Sequence, residues 1–137
     1  MDPKKLKEYA QRDNYFEFMG IQVLDIREGK AKVSLKFENK FMNFFNAGHG
    51  GAIYSLADSA FQLACNASAD IEIAVALSTN LNHIKKVEVG ERLVADAEVI
   101  ASTRKTSITE INIKNEKEEL VAVFRGVAYL KRKKEAA

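Results

Sequence analysis

From Lys30 to Phe37 polar and apolar residues alternate without a break, with Ala31, Val33, Leu35 and Phe37 set against Lys30, Lys32, Ser34 and Lys36. A period of two belongs to a strand with one face buried and the other wet. Together with the preceding run from Ile21 to Arg27, it predicts two short strands around a Glu28-Gly29 turn. The period then changes. Between Gly50 and Ala67 there is no proline, and Ile53, Leu56, Ala60, Leu63, Ala64 and Ala67 recur at the i, i+3, i+4 spacing of a helix. Residues 3–13 read as a shorter helix, with Pro3 in a permissive first turn and Leu6, Tyr9 and Ala10 at helical spacing, in a segment closing near Gly20. After Ile71 four strand-like runs follow, IAVALSTNLNHI, RLVADAEVIAS, TSITEINIKN and LVAVFRGVAYLK, joined by KKVEVGE, STRK and NEKEE. Links this short make antiparallel neighbours. The expected architecture is α+β, a curved antiparallel sheet of about six strands wrapped around one long central helix.

The length of 137 residues suits a single domain over 1–137, large enough to bury about two thirds of its unfolded surface. Its 47% hydrophobic and 29% charged content is that of a globular chain. The net charge of +2 balances 21 basic against 19 acidic residues, too even for a nucleic-acid footprint, so no nucleic-acid partner is expected. The basic run Lys131 to Lys134 reads as a solvated end. One cysteine, Cys65, excludes an internal disulfide and reads as a small core or interface residue. His49 and His83 have no neighbouring Cys or His at ligand spacing, so neither metal nor bound cofactor is expected. The stretch MDPKKLKEYAQRDNYF lacks the apolar core of a signal peptide, and no run approaches the ~20 apolar residues of a membrane span. A cytoplasmic protein without a membrane partner is the expectation.

Chemistry concentrates in MNFFNAGHGGAIYSLADSAFQLACNA, residues 42–67. Gly50 and Gly51 weaken a helix start unless a neighbouring backbone packs there or a ligand must approach. The first N–H groups of a helix lack internal partners and sit at its positive end, so an uncovered Gly-Gly turn can donate to a carbonyl or a developing oxyanion. Asp58 lies mid-helix, flanking the apolar stripe on the side of Tyr54, Phe61 and Cys65. A carboxylate there is either a solvated or hydrogen-bonded flank residue, or a general base or nucleophile. At ~1.5 Å per residue it stands roughly 10 to 12 Å from the glycines. One helix cannot bring both groups to one carbonyl. If they act together, two copies must run their helices antiparallel about a two-fold axis, which requires a dimer with two equivalent interface sites.

The same stretch resembles the signature of the hotdog-fold acyl-CoA thioesterases of the phenylacetate-pathway (PaaI-type) family. The matching positions are Asn43, His49-Gly50-Gly51, Asp58 and Ser59-Ala60, and the likeness runs from about residue 13 to 131. The resemblance implies a sheet-wrapped helix, assembly as a dimer or dimer of dimers, and hydrolysis of acyl-CoA at the dimer interface, CoA being part of the substrate. By position, the Gly50 N–H would polarise the thioester carbonyl and Asp58 of the other chain would act as base or nucleophile. Asn43 would place water or thioester, His49 would support the loop, and Gly51 would serve close packing. Tyr54 and Phe61, with Phe44 and Phe45, are the aromatics placed to shape an acyl pocket. Asn46 stands where the family has glycine, though asparagine tolerates a left-handed turn. Lys85-Lys86 stands where relatives carry Arg-Pro, either meeting CoA phosphates or ending a strand in solvent. His83 reads as a strand residue with a satisfied ring; Ser78 and Thr79 carry no assigned role. A non-catalytic acyl-CoA-binding module of the same fold is the alternative reading. No Gly-x-Ser-x-Gly elbow is present, which disfavours a serine hydrolase, and a dehydratase of this fold would need a histidine context that the chain lacks.

Overall fold

The computed structural model describes residues 1–134. Two helices open the chain, α1 (Pro3–Gln11) and α2 (Asn14–Met19). The predicted single helix over 3–13 is thus cut short and followed by a second one. Asp13 explains the break: its carboxylate accepts from the N–H groups of Tyr15 and Phe16 at 2.9 and 3.1 Å, capping α2, which stops at Gly20 in a left-handed conformation.

Strands β1 (Gln22–Arg27) and β2 (Lys30–Lys36) form the predicted hairpin, turning at Gly29 with φ +68°. Ala31, Val33, Leu35 and Phe37 are all buried, as the alternation requires. Ser34 is buried too, on the opposite face, because Arg92 lies over it and donates to its Oγ at 3.2 Å. After a 3-10 turn at Asn39–Phe41 comes the central helix α3 (Gly50–Asn66), then β3 (Ile71–His83), β4 (Arg92–Ser102), β5 (Thr106–Lys114) and β6 (Leu120–Arg132). The strands make one antiparallel sheet in the order β1-β2-β4-β5-β6-β3. The sheet bends around α3, whose Ile53, Leu56, Ala57, Ala60, Leu63 and Ala64 are buried against it.

Two contacts fix the helix on the sheet. Phe61 lies over β6, and a Cβ at Gly126 would come within 2.7 Å of its ring, so only glycine permits that depth of packing. Asn66, at the last turn, accepts from the Ala74 N–H at 2.8 Å and donates to the Ala74 carbonyl at 3.2 Å, joining α3 to β3 by a buried amide. At the basic end Lys131, Lys133 and Lys134 are exposed, as the sequence suggested, while Arg132 is partly covered. Lys131 pairs with Glu72 at 3.4 Å, and Arg132 binds Asp70 and the Arg104 and Thr103 carbonyls, because β6 runs through both residues. Among the described residues no helix is long and apolar enough to cross a membrane.

Candidate active site

The mouth of α3 is built by the loop before it. Asn43 Oδ1 accepts from the Phe45 and Ala47 N–H groups at 2.9 and 3.1 Å, and the Asn43 N–H donates to the Ala47 carbonyl at 2.7 Å. Asn46 takes a positive φ of +63°, supplying the left-handed turn that glycine would otherwise provide. Gly48 donates to the Val87 carbonyl at 2.8 Å, and a Cβ there would stand 2.7 Å from the Val87 side chain. His49 is then held by its N–H to Phe41 O at 2.7 Å and becomes the N-cap.

The first-turn donors of α3 can be accounted for one by one. Gly51 N–H donates to His49 Nδ1 at 2.8 Å, which puts the proton of a neutral His49 ring on Nε2. The N–H groups of Ala52 and Ile53 both reach the His49 carbonyl, at 3.0 and 3.1 Å. Gly50 N–H alone has no acceptor among the described residues. It opens onto a cavity of about 370 Å³ lined by Asn43, Gly48, Ile53, His83, Lys85 and Lys86 among others. The two glycines therefore differ: Gly51 is committed to its own cap, against whose ring it lies, while Gly50 is available.

Asp58 sits two turns further along, half-buried and without a hydrogen-bond partner among the described residues. Burial raises its carboxyl above the ordinary value of 3.8. It borders a different cavity, also about 370 Å³, whose walls include Leu6, Tyr9, Phe61, Cys65 and residues 73–76 of β3. Within one chain the Gly50 and Asp58 cavities share no wall residue.

The remaining candidates fall in several places. Tyr54 is partly exposed, its hydroxyl bonded to Thr79 Oγ1 at 2.8 Å and its ring edge-on to Phe124. Phe61 is a core side chain that backs the Asp58 cavity from behind. Phe44 and Phe45 project from the loop tip, 91% and 72% exposed, with their rings against each other. Lys85 and Lys86 do reach the Gly50 cavity, but each already pairs with a carboxylate, Glu119 at 3.1 Å and Glu88 at 3.7 Å. Cys65 is buried, its thiol pushed up to about 12 by loss of solvent, which makes it inert as a nucleophile. His83 departs from expectation. No hydrogen bond among the described residues uses its ring, which lies over Gly50: Nε2 is 3.3 Å from the point a Gly50 Cβ would occupy. Sequence spacing carried no signal of this, because the two residues meet only when β3 closes on the helix mouth.

Comparison with known proteins bears on the family and the fold. The family model described as the thioesterase superfamily matches residues 45–122. The acyl-coenzyme A thioesterase PaaI of Escherichia coli K12 is 31% identical over 87% of this chain and 84% of its own length. The 1,4-dihydroxy-2-naphthoyl-CoA hydrolase of Listeria monocytogenes is 32% identical over 86% of this chain and 96% of its own. The solved structure of the E. coli PaaI protein from the phenylacetic acid degradation operon superimposes with a TM-score of 0.85 at 30% identity, covering 96% of both chains. With its sheet wrapped on one helix and its glycine mouth and helix acid in these positions, the chain belongs to the thioesterase superfamily as a PaaI-like hotdog hydrolase.

Proposed function

We propose that the protein hydrolyses small or medium acyl-CoA thioesters, aromatic ones included, at sites shared between two protomers. Gly50 of one protomer holds the thioester carbonyl oxygen, and Asp58 of its partner activates water. The observation that carries this reading is the separation of an unpaired donor and a desolvated acid along one straight helix, in cavities that do not meet.

Strand β3 supports the two-chain arrangement. It is an outer strand of the sheet, with β6 its one neighbouring strand among the described residues, and at its start the Asn66 amide and the Met1 amine bond the backbone of Ala74 and Ile71. Ile73, Val75 and Leu77 alternate along it at 47%, 49% and 59% exposure. A long apolar edge of this kind is a template for pairing, whereas the other outer strand, β1, is short and carries Asp25 and Arg27. The Asp58 cavity touches residues 73–76 and the Gly50 cavity residues 83–87. Within one strand those ends are roughly 25 Å apart at ~3.3 Å per residue. Antiparallel pairing of β3 with a second β3 about a two-fold axis near Thr79 exchanges the ends and brings one protomer's Gly50 toward its partner's Asp58.

In the reaction, Asp58 takes a proton from water as the water oxygen bonds to the carbonyl carbon, and the carbonyl π pair moves to oxygen, where the Gly50 N–H stabilises it. Collapse restores the carbonyl and breaks the carbon–sulfur bond, and the proton held by Asp58 passes to the departing CoA sulfur. Direct attack by Asp58 would instead leave an acyl anhydride. Asn43 has only its Nδ2 end free to help position water or thioester, since Oδ1 is committed to the loop. The names of the two relatives, one a CoA thioesterase and the other a naphthoyl-CoA hydrolase, support the substrate class.

The test is thiol release from acetyl, butyryl, hexanoyl, decanoyl, benzoyl and phenylacetyl CoA by wild type and Asp58→Asn. Turnover that falls at least about a hundredfold in the variant, equivalent to some 2.7 kcal/mol of transition-state stabilisation, is expected. Equal rates would remove Asp58 from the mechanism. Binding of CoA esters without turnover by wild type would leave only the binding-module reading.

A further inference from the structure

The cavity at the mouth of α3 is lined by several donors. Gly51 N–H is spent on His49, and Lys85 and Lys86 each pair with one carboxylate, Glu119 and Glu88. Gly50 N–H and the ring of His83 are the two that lie against each other. The backbone sets where this side chain starts. His83 is the last residue of β3, paired with Ala122, and the next two N–H groups, of Ile84 and Lys85, both donate to the Val121 carbonyl at 2.9 and 3.1 Å. The chain therefore turns immediately after His83 and leaves the imidazole over Gly50, with Nε2 and Cε1 3.3 and 3.4 Å from the position of a Gly50 Cβ. Gly50 and this ring line one cavity, the space into which an oxygen accepting from the Gly50 N–H at ~2.9 Å would come.

We propose that His83 is a catalytic residue, its Nε2–H donating a second hydrogen bond to the thioester oxygen beside the Gly50 N–H. This rests on the carbonyl-binding role given to Gly50 above. As water adds to the carbonyl carbon, the π pair moves to oxygen and both donors contact the resulting oxyanion; on collapse the pair returns and the carbon–sulfur bond breaks. His83 keeps its proton throughout, so its contribution is electrostatic and geometric. A backbone donor at a helix start is fixed but single, and a ring donor alongside it adds to the stabilisation of charge present only in the transition state. Glycine at position 50 leaves the ring this close, since a Cβ there would stand 3.3 Å from Nε2 and press the ring outward by a few tenths of an ångström.

The experiment compares wild type, His83→Phe, which keeps a ring over Gly50 without a donor, and His83→Gln, which restores an N–H. Steady-state kcat and KM are measured on the best thioester of the panel, with CoA affinity by calorimetry and thermal melting alongside. Removal of one oxyanion donor is worth about 10²–10³ in kcat. The expected result is a fall of at least about thirtyfold in kcat for His83→Phe, with KM and CoA affinity within about twofold, and partial recovery in His83→Gln. Should His83→Phe not fold, His83→Ala reads the same split. A kcat within about twofold of wild type overturns the proposal, as does a loss confined to KM and CoA affinity, which would make the ring a CoA contact. Asp58→Asn in the same assay separates the two readings. An inactive Asp58 variant beside a fully active His83→Phe ends this proposal alone, while an active Asp58 variant ends the shared-site mechanism.

Discussion

Asp58 bears a cost that its neighbours on the helix do not. Its folded-state pKa lies above the unfolded value because burial disfavours the charge. The stability this residue contributes is fully present below the unfolded pKa, where the carboxyl is neutral in both states, and is lost as pH rises through the raised folded value. Asp58→Asn should therefore melt higher than wild type at pH 7, with the difference closing as the buffer approaches pH 4. A difference independent of pH would show that desolvation of the charge is not its source. The same shift acts on catalysis in the opposite sense, since a base must be ionised. The acid limb of kcat/KM should fall above the 3.8 of an ordinary aspartate, and a limb at or below that value would point to another group. Residue types alone suggested both carboxylate and glycine, but not that Gly51 is committed and Gly50 free. That distinction depends on the rotamer of His49, which a sequence does not state.

At the scale of elements, the position of α3 over the sheet is set by Gly126 and Asn66. Gly126→Ala forces a methyl group into the Phe61 ring and should cost about 1–3 kcal/mol by chemical denaturation. Phe61→Leu should relieve part of it, so the double variant is expected to be more stable than the sum of the single losses predicts; strict additivity would mean the two do not meet. Asn66→Ala leaves the N–H and carbonyl of Ala74 buried without partners. A loss of roughly 1–3 kcal/mol is expected, together with faster amide exchange in the first half of β3. Periodicity revealed these elements because helix and strand repeats are local: the hairpin of β1 and β2, α3 and the four later strands all lie close to where the pattern put them. It missed α2, where six residues hold too few turns to show a repeat and the Asp13 cap was the available sign.

For the whole molecule, the proposed two-chain site turns on the edge of β3. Leu77→Lys places a charge on a β3 position that is 59% exposed and lines neither the Asp58 nor the Gly50 cavity. If the proposed dimer pairs through β3, the variant should keep its fold by circular dichroism, run as a monomer in light scattering where wild type runs as a dimer, and lose thioester turnover. A monomeric variant that still turns over would show that one chain suffices, and a dimer unaffected by the lysine would place the interface elsewhere. The free edge was not legible in the sequence. IAVALSTNLNHI reads as a strand without saying where in the sheet it lies, and only the strand order leaves β3 at the margin with Ile73, Val75 and Leu77 uncovered.

The sequence by itself determined the α+β architecture, because the repeats of two and 3.6 are properties of neighbouring residues. It also determined the residues worth suspecting, since glycines at a helix start and an aspartate inside a helix violate local propensity and so ask for a reason. It also set a condition, that glycine and aspartate can share one carbonyl only across two chains, because the rise of a helix converts residue number into distance. Tertiary structure decided the rest. Which donor stayed free, which lysines were neutralised by Glu119 and Glu88, and where the ring of His83 came to lie all depend on contacts between residues far apart in the chain. Such contacts exist only after the sheet has closed on the helix, and no local repeat encodes them.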